Sequence, residues 1–139
     1  MVITDKAEDR IQNIEYNIEP SAVGIGVGFG VAEETATAFS NFLDTNSDPL
    51  VIDADGLNIL AKNKKMLKKL PSKTVLTPHP KELERLIGKW KDDFDKLKKA
   101  KSFSIKYDII LVIKGAHTIT IYDNHGYVNS TGNPGMATA

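Results

Sequence analysis

Hydrophobic residues fall along the chain in short runs separated by stretches of mixed character. Four runs predict strands: Ala22–Gly30, which passes into glycines, Pro49–Ala54, Thr74–Pro78 and Asp108–Gly115. The absence of polar alternation in the second run is typical of a strand covered on both faces. A fifth segment, 118–129, alternates polar with apolar residues and contains a turn sequence, so it predicts a β-hairpin.

Amphipathic segments between these runs predict helices. Glu33–Leu43 begins with two acids and continues with apolar residues at helical spacing, and Lys81–Gly88 ends in glycine, as helices often do. Lys62–Leu70 predicts a basic helix or helical turn whose lysines form a solvated face. Asp92–Tyr107 is predicted to place five apolar residues on one face: Phe94, Leu97, Ala100, Phe103 and Ile105. Residues 1–20 predict a loop with one helical turn, after a possible strand end at 2–4.

This order of elements predicts an α/β fold with a mostly parallel sheet and helices on its faces. In such sheets, ligands bind beyond the carboxyl ends of the strands. The four predicted strands run into stretches of polar or glycine-rich sequence: GVGFG, DADGLN, TPHPKE and KGAHT. Four such ends at one edge of a sheet indicate a binding site. No repeat or linker divides the chain, so we treat residues 1–139 as one domain.

Composition narrows the class of protein. Eighteen basic and eighteen acidic side chains cancel, so no net field favours nucleic acid or an anionic membrane. The chain has no cysteine, which excludes disulfides and thiolate metal sites. The first residues of the given sequence do not show the basic, apolar and small-residue pattern of a signal peptide, and no run approaches the roughly 18 apolar residues of a membrane span. These features predict a soluble, cytoplasmic protein.

The glycines at positions 24, 26, 28 and 30 admit two interpretations. They lack the third glycine of the dinucleotide-binding fingerprint, since position 29 is Phe. The loop is either a tight strand-to-helix turn or a place where the backbone approaches a ligand closely. Asp53 and Asp55 are similarly ambiguous, because they could hold a metal or orient a hydroxyl, or one of them could cap a helix. The spacing favours capping.

Two further stretches carry candidate chemistry. His79 lies between two prolines, so its backbone is held extended or in a turn, and Glu82 follows where a helix begins. The histidine is either structural or positioned against a ligand. Lys114 lies at the end of a predicted strand, where its ammonium could bind phosphate oxygens, and the Thr118 hydroxyl could donate a further hydrogen bond. The alternative is an exposed turn into the hairpin.

Taken together, these stretches resemble the ADP- or ATP-dependent NAD(P)H-hydrate dehydratases of the ribokinase-like superfamily. The resemblance runs from Ala22 to Ala139 and rests on the pattern DADGLN, TPHP with a following Glu and Arg-Leu, KG with Thr, and TGNPGMAT. It implies a three-layer α/β/α fold. It also implies a metabolite-repair hydro-lyase, in which a nucleotide's terminal phosphoryl group passes to the hydroxyl of hydrated NADH or NADPH. Elimination of phosphate then restores the reduced cofactor.

The resemblance assigns residues to this chemistry. Gly30 and His79 match positions that contact the hydrated cofactor. Asp53 and Glu82 resemble acids that act near magnesium and phosphate. The loop that holds ATP or ADP is matched by Lys114, Gly115, Ala116, His117 and Thr118. The sequence departs from common family residues at Val27, Phe29, Lys81 and His117, where proline, leucine, glycine and glycine are frequent.

The resemblance also predicts that this chain is an internal fragment. In the family, a glycine-serine-glycine-aspartate stretch follows the segment that here ends at Ala139, and it supplies an anion hole and the catalytic aspartate. We therefore expect a partial domain, incomplete at both ends, with no catalytic residue of its own and no activity alone. A fused epimerase domain and a homo-oligomer are further expectations for the parent protein. Two alternatives remain, namely a ribokinase-like kinase for a sugar or vitamin precursor and a non-catalytic nucleotide-binding module.

Overall fold

A computed structural model describes residues 9–131 of the chain. Its strands are β1 Val23–Ile25, β2 Leu50–Ile52, β3 Val75–Leu76, β4 Ile110–Ile113, β5 Ile119–Tyr122 and β6 His125–Val128. Its helices are α1 Glu33–Thr45, α2 Ala54–Lys62, α3 Pro80–Ile87 and α4 Asp93–Tyr107, with a 3₁₀ helix at Lys64–Lys69. The predicted strand end at 2–4 and the NPGMATA segment at 133–139 lie outside the described residues.

The described strands form one sheet in the order β1-β2-β3-β4-β5-β6. The first four strands are parallel, and β4, β5 and β6 pair antiparallel. The structure thus confirms the mostly parallel α/β prediction and the terminal hairpin. No helix among residues 9–131 is long and apolar enough to cross a membrane.

The two faces of the sheet differ in burial. Ile52, Leu76 and Leu111 are paired in register and each is 0% exposed, whereas the adjacent Val51 is 37% exposed. The cause is the strand order, because each helical connection between neighbouring parallel strands advances in the same direction. Right-handed crossovers then place the helices on the same face. The prediction that residues 49–54 are covered on both faces was therefore wrong for the described part of the chain.

Helix α4 corrects a second prediction. Ala100 and Phe103 are buried against the sheet, but Phe94 is 86% exposed and Ile105 is 53% exposed. At about 100° per residue, position 94 lies about 180° from position 103 around the helix, and position 105 about 200° from it. The two exposed residues therefore belong to the opposite side of α4.

The segment before β1 is anchored by Tyr16. The Tyr16 hydroxyl bonds to Asn46 Oδ1 at 3.0 Å and to Asp48 Oδ2 at 2.5 Å, in the connection between α1 and β2. Its ring meets Phe42 edge-on, with centroids 6.2 Å apart. The hydrogen bond to Asp48, together with burial, raises the pKa of Tyr16 to about 12. Tyr16 thereby ties the segment before β1 to α1 and to the connection that follows it.

Candidate functional site

The strand ends predicted to carry chemistry lie side by side at one edge of the sheet. The Asp53 amide donates to the Ile25 carbonyl at 3.1 Å, which joins the ends of β2 and β1. The Lys114 amide donates to the Pro78 carbonyl at 2.9 Å, which joins the end of β4 to the segment after β3. Backbone hydrogen bonds therefore continue past the strands and fix the relative positions of the loops.

A side-chain ion pair crosses this edge. The Lys114 ammonium lies 2.8 Å from Asp53 Oδ1, and both side chains are partly exposed. The same carboxylate oxygen accepts the Ala54 amide at 2.8 Å, so Asp53 also caps α2, as its spacing predicted. Burial acts to raise the pKa of the Asp53 carboxyl, but the bonds from Lys114 and Ala54 outweigh it and hold that pKa below its usual value. Asp53 stays ionised and orients a cation at the edge of the sheet.

The glycine-rich loop divides into a packed part and an open part. A Cβ on Gly26, whose φ is +113°, would lie 2.2 Å from the Asp53 carbonyl oxygen and 2.8 Å from the Gly56 nitrogen. Gly28 and Gly30 also have positive φ, yet a Cβ there would meet no atom within 4 Å. The turn interpretation thus holds at Gly26, where the loop packs on α2. The backbone of Gly28 and Gly30 faces open space that a ligand can enter.

A chain of hydrogen bonds connects the glycine loop to α2 and α3. Asp55 Oδ2 accepts the Gly30 amide at 2.9 Å, and Asp55 Oδ1 lies 3.4 Å from Asn58 Nδ2. Asn58 Oδ1 in turn accepts from Arg85 at 2.8 Å. Neither Asn58 nor Arg85 was predicted to belong to the site. The spacing of Asp55 and Asn58, three residues apart on one helical face, was the available signal.

His79 and Glu82 form the start of α3. Glu82 Oε2 accepts the His79 amide at 2.9 Å, and His79 Nδ1 accepts the Lys81 amide at 3.1 Å. Glu82 Oε1 lies 3.3 Å from His79 Nε2. Glu82 is buried, and both of its oxygens face His79, whereas the imidazole is 43% exposed. His79 is therefore held in one orientation by the helix start and presents its ring to solvent.

The predicted nucleotide loop lies between β4 and β5. Gly115, Ala116 and His117 are exposed, and Thr118 is partly buried. The Thr118 carbonyl accepts the Asn129 amide at 2.8 Å, which ties the end of this loop to the residue that follows β6. The loop is open and directly follows Lys114 in the chain.

The described residues contain no preformed magnesium site. Within residues 9–131, no group of three or more acidic, histidine or cysteine side chains is placed to hold a metal ion. The two predicted candidates are already engaged, Asp53 by Lys114 and Glu82 by His79. Asp53 and Glu82 by themselves therefore do not form a metal site among residues 9–131, and their predicted part near magnesium and phosphate stays a prediction.

The arrangement gathers complementary groups at one edge. Lys114 offers a cation of fixed position, the loop after it offers open backbone, and the exposed His79 ring follows directly on Pro78, whose carbonyl Lys114 binds. Gly30 is joined to the same edge through Asp55 on α2. Such a site can hold a phosphorylated ligand beside a second molecule.

Comparisons with known proteins identify relatives of the whole chain. Residues 1–139 match the family described as NAD(P)H-hydrate dehydratase. A bifunctional NAD(P)H-hydrate repair enzyme of Thermofilum pendens is 36% identical over 129 residues, which cover 91% of this chain and 25% of that protein. An ADP-dependent (S)-NAD(P)H-hydrate dehydratase of Neisseria meningitidis is 32% identical, with coverage of 83% and 41%.

Solved structures share the fold. The ADP/ATP-dependent NAD(P)H-hydrate dehydratase of Bacillus subtilis, co-crystallised with ATP and Mg²⁺, superimposes with a TM-score of 0.65 at 26% identity. The match covers 84% of this chain and 42% of that one. A ribokinase-like protein of Enterococcus faecalis, 22% identical, gives a TM-score of 0.70 over 86% of this chain and 42% of its own. These matches confirm the ribokinase-like prediction. The chain spans about a quarter to two fifths of the length of these relatives.

Proposed function

The chain belongs to the NAD(P)H-hydrate dehydratase family, and we propose that it contributes the substrate-side and nucleotide-side loops of an enzyme that dehydrates hydrated NADH or NADPH. The reaction consumes ATP or ADP as a phosphoryl donor and regenerates the reduced cofactor. The observation that carries the proposal is the junction of strand ends around Lys114. There Asp53 holds the Lys114 ammonium. The backbone amide of Lys114 donates to the carbonyl of Pro78, the residue before His79.

The chemistry explains why such a junction is useful. Hydroxide is a poor leaving group, and phosphate is a good one. In the proposed reaction the substrate hydroxyl loses its proton to a base and attacks the terminal phosphorus of the nucleotide, and the shortened nucleotide leaves with the electrons of the broken P–O bond. Phosphate then departs with the electrons of its C–O bond while a proton is lost from the adjacent carbon, which restores the ring double bond. Phosphoryl transfer depends mainly on positioning and on stabilising spread negative charge.

Each residue has a defined part in this proposal. The Lys114 ammonium contacts the nucleotide's phosphate oxygens, and residues 115–118 hold the nucleotide through their backbone and the Thr118 hydroxyl. The Gly30 backbone and the His79 ring contact the hydrated nicotinamide ring. Asp53 keeps Lys114 in place. Magnesium use is inferred from the co-crystallised relative alone, and a fused epimerase activity and a homo-oligomer stay predictions.

The proposed function is tested with the longest protein that the gene encodes. We expect hydrated NADH to be converted to NADH, followed by absorbance at 340 nm, only when ATP or ADP is present. Lys114→Ala is expected to raise the KM for the nucleotide at least about tenfold, since a charge-assisted hydrogen bond to phosphate is lost. Lys98→Ala removes the same charge from the surface of α4 and serves as the matched control. Phosphorylation of a sugar, with no NADH formed, would overturn the proposal in favour of a kinase.

A further inference from the structure

A surface groove begins at Val31, directly after the glycine loop, and its residues have no part in the proposed reaction. Its volume is about 580 Å³, a size typical of small-molecule sites. Six residues line it: Val31, Asp55, Asn58, Ala61, Lys62 and Arg85. The groove is therefore built from the end of the glycine loop and from one face each of α2 and α3.

The groove contains two cations that have no carboxylate partner within the described part of the chain. Arg85 donates one hydrogen bond, to Asn58 at 2.8 Å, and neither Arg85 nor Lys62 makes an ion pair among residues 9–131. The one acid in the lining, Asp55, is engaged by the Gly30 amide. The Asn58 bond orients the Arg85 guanidinium and leaves its remaining N–H donors available.

The groove continues the predicted substrate site. Val31 follows Gly30 directly, and Asp55 binds the Gly30 amide, so the two regions share a wall. On α3, Arg85 lies six residues after His79, which corresponds to about 9 Å along the helix axis. A ligand whose one end contacts His79 and Gly30 must therefore be extended for its other end to reach Arg85, and an anionic group at that end would complement the guanidinium.

We propose that this groove is the subsite for the diphosphate and adenosine part of the dinucleotide substrate, with Arg85 as the residue that binds the diphosphate. The inference rests on the proposed function, which supplies a substrate containing a diphosphate. The planar guanidinium can donate two parallel hydrogen bonds to phosphate oxygens, and Lys62 adds a second positive charge at the rim. The apolar Val31 and Ala61 offer surface for the adenosine.

Binding of ADP-ribose tests the subsite without any turnover. ADP-ribose carries the diphosphate and adenosine but no nicotinamide. It is titrated into the longest gene product by calorimetry in the presence of saturating ADP, which keeps it out of the nucleotide loop. We expect Arg85→Ala to weaken ADP-ribose binding about 10- to 100-fold, the usual cost of charge-assisted hydrogen bonds. Arg85→Lys keeps the charge but loses the paired donors. Its affinity for ADP-ribose is expected to lie between those of the wild type and Arg85→Ala.

Controls separate the subsite from folding and from general charge. Lys98→Ala is expected to bind ADP-ribose like the wild type, and Arg85→Ala is expected to keep the wild-type affinity for ADP and the wild-type thermal midpoint. Equal affinity of wild type and Arg85→Ala for ADP-ribose, absence of ADP-ribose binding by the wild type, or equal weakening by Lys98→Ala would each overturn the subsite. Dehydration of hydrated NADH is assayed separately. If hydrated NADH is dehydrated but Arg85→Ala does not weaken ADP-ribose binding, only the subsite is contradicted. If Arg85→Ala weakens ADP-ribose binding but hydrated NADH is not dehydrated, only the proposed function is contradicted.

Discussion

At the scale of single residues, Gly26 and Gly28 differ in what surrounds them, although both have positive φ. We expect Gly26→Ala to lower the free energy of unfolding by about 3 kcal/mol or more, since the new Cβ combines left-handed backbone strain with overpacking. The clash is with backbone, because the Cβ would lie 2.2 Å from the Asp53 carbonyl oxygen. Urea denaturation of the chain measures the change.

Gly28→Ala is the matched control for this prediction. Its φ is +70°, but a Cβ there meets nothing within 4 Å, so only the backbone strain remains. We expect a cost of about 1 kcal/mol. Equal costs at the two positions would show that the loop does not pack on α2 as described.

The Asp53–Lys114 ion pair makes stability depend on pH in one direction. The folded pKa of Asp53 lies below the ordinary value of 3.8, so its contribution to stability is present above about pH 4 and is lost as pH falls through the folded pKa. Replacing Lys114 by Met removes the cation, and the pKa of Asp53 is expected to rise. Carboxyl carbon NMR titration of Asp53 in both proteins measures this shift.

Lys69→Met provides the comparison for the ion pair, because Lys69 pairs with Asp44 at 2.7 Å on the helical side of the molecule. This variant is expected to leave the pKa of Asp53 unchanged. An Asp53 pKa that does not respond to Lys114→Met would contradict the 2.8 Å pairing and the positioning of Lys114 that depends on it.

At the scale of elements, the start of α3 lets the structural and binding functions of His79 be separated. His79 Nδ1 accepts the Lys81 amide, which is a capping bond. We expect His79→Ala to cost about 1 kcal/mol of unfolding free energy, whereas His79→Asn, which introduces a preferred N-cap residue, should cost less than about 0.5 kcal/mol. Both variants are expected to raise the KM for hydrated NADH, because both remove the exposed imidazole. Chemical denaturation and the 340 nm assay supply the two measurements.

The asparagine variant tests the capping function and the binding function of His79 separately. If His79→Asn destabilises the protein as much as His79→Ala, the imidazole does not act as the cap. If His79→Asn leaves both stability and KM unchanged, His79 does not contact the substrate, and its exposed ring has only a structural function.

The sequence predicted most elements because their signals are local. Glycine at position 88, proline at position 80 and the acids at 33 and 34 mark helix ends through short-range geometry, and the structure places helix ends there. The prediction for α4 was wrong at Phe94 and Ile105, because a count of apolar residues does not fix which side of the helix faces the core. The burial pattern of β2 depends on strand order, which no single segment encodes.

The site was predictable only as a set of separate loops. Asp53 and Lys114 are 61 residues apart, and their pairing requires β2, β3 and β4 to lie in adjacent register. The connection of Gly30 to Arg85 passes through two helices, and the spacing of Asp55 and Asn58 marks only the part of it that lies within α2. Long-range side-chain partners arise from packing, so motif spacing could place each loop at one edge but could not give the bonds between them.

At the scale of the whole molecule, the described sheet has one covered face and one partly open face. The covered face holds most of the core, including Ile52, Leu76 and Leu111. The opposite face presents Val51 and its in-register neighbours Val75 and Ile110, which are only partly buried or exposed. This asymmetry follows from parallel neighbours joined by right-handed crossovers, and it makes adjacent residues of β2 unequal in their contribution to stability.

That inequality can be measured with two neighbouring substitutions in the 139-residue chain. Ile52→Ala is expected to lower the free energy of unfolding by about 3 kcal/mol, because Ile52 is 0% exposed and its truncation opens a cavity in the core. Val51→Ala is expected to cost less than about 1 kcal/mol, since its side chain is 37% exposed and water can fill the space. Urea denaturation with a common m-value provides both numbers. Similar costs at the two positions would mean that both faces are packed in solution, and the one-sided arrangement of helices would be wrong.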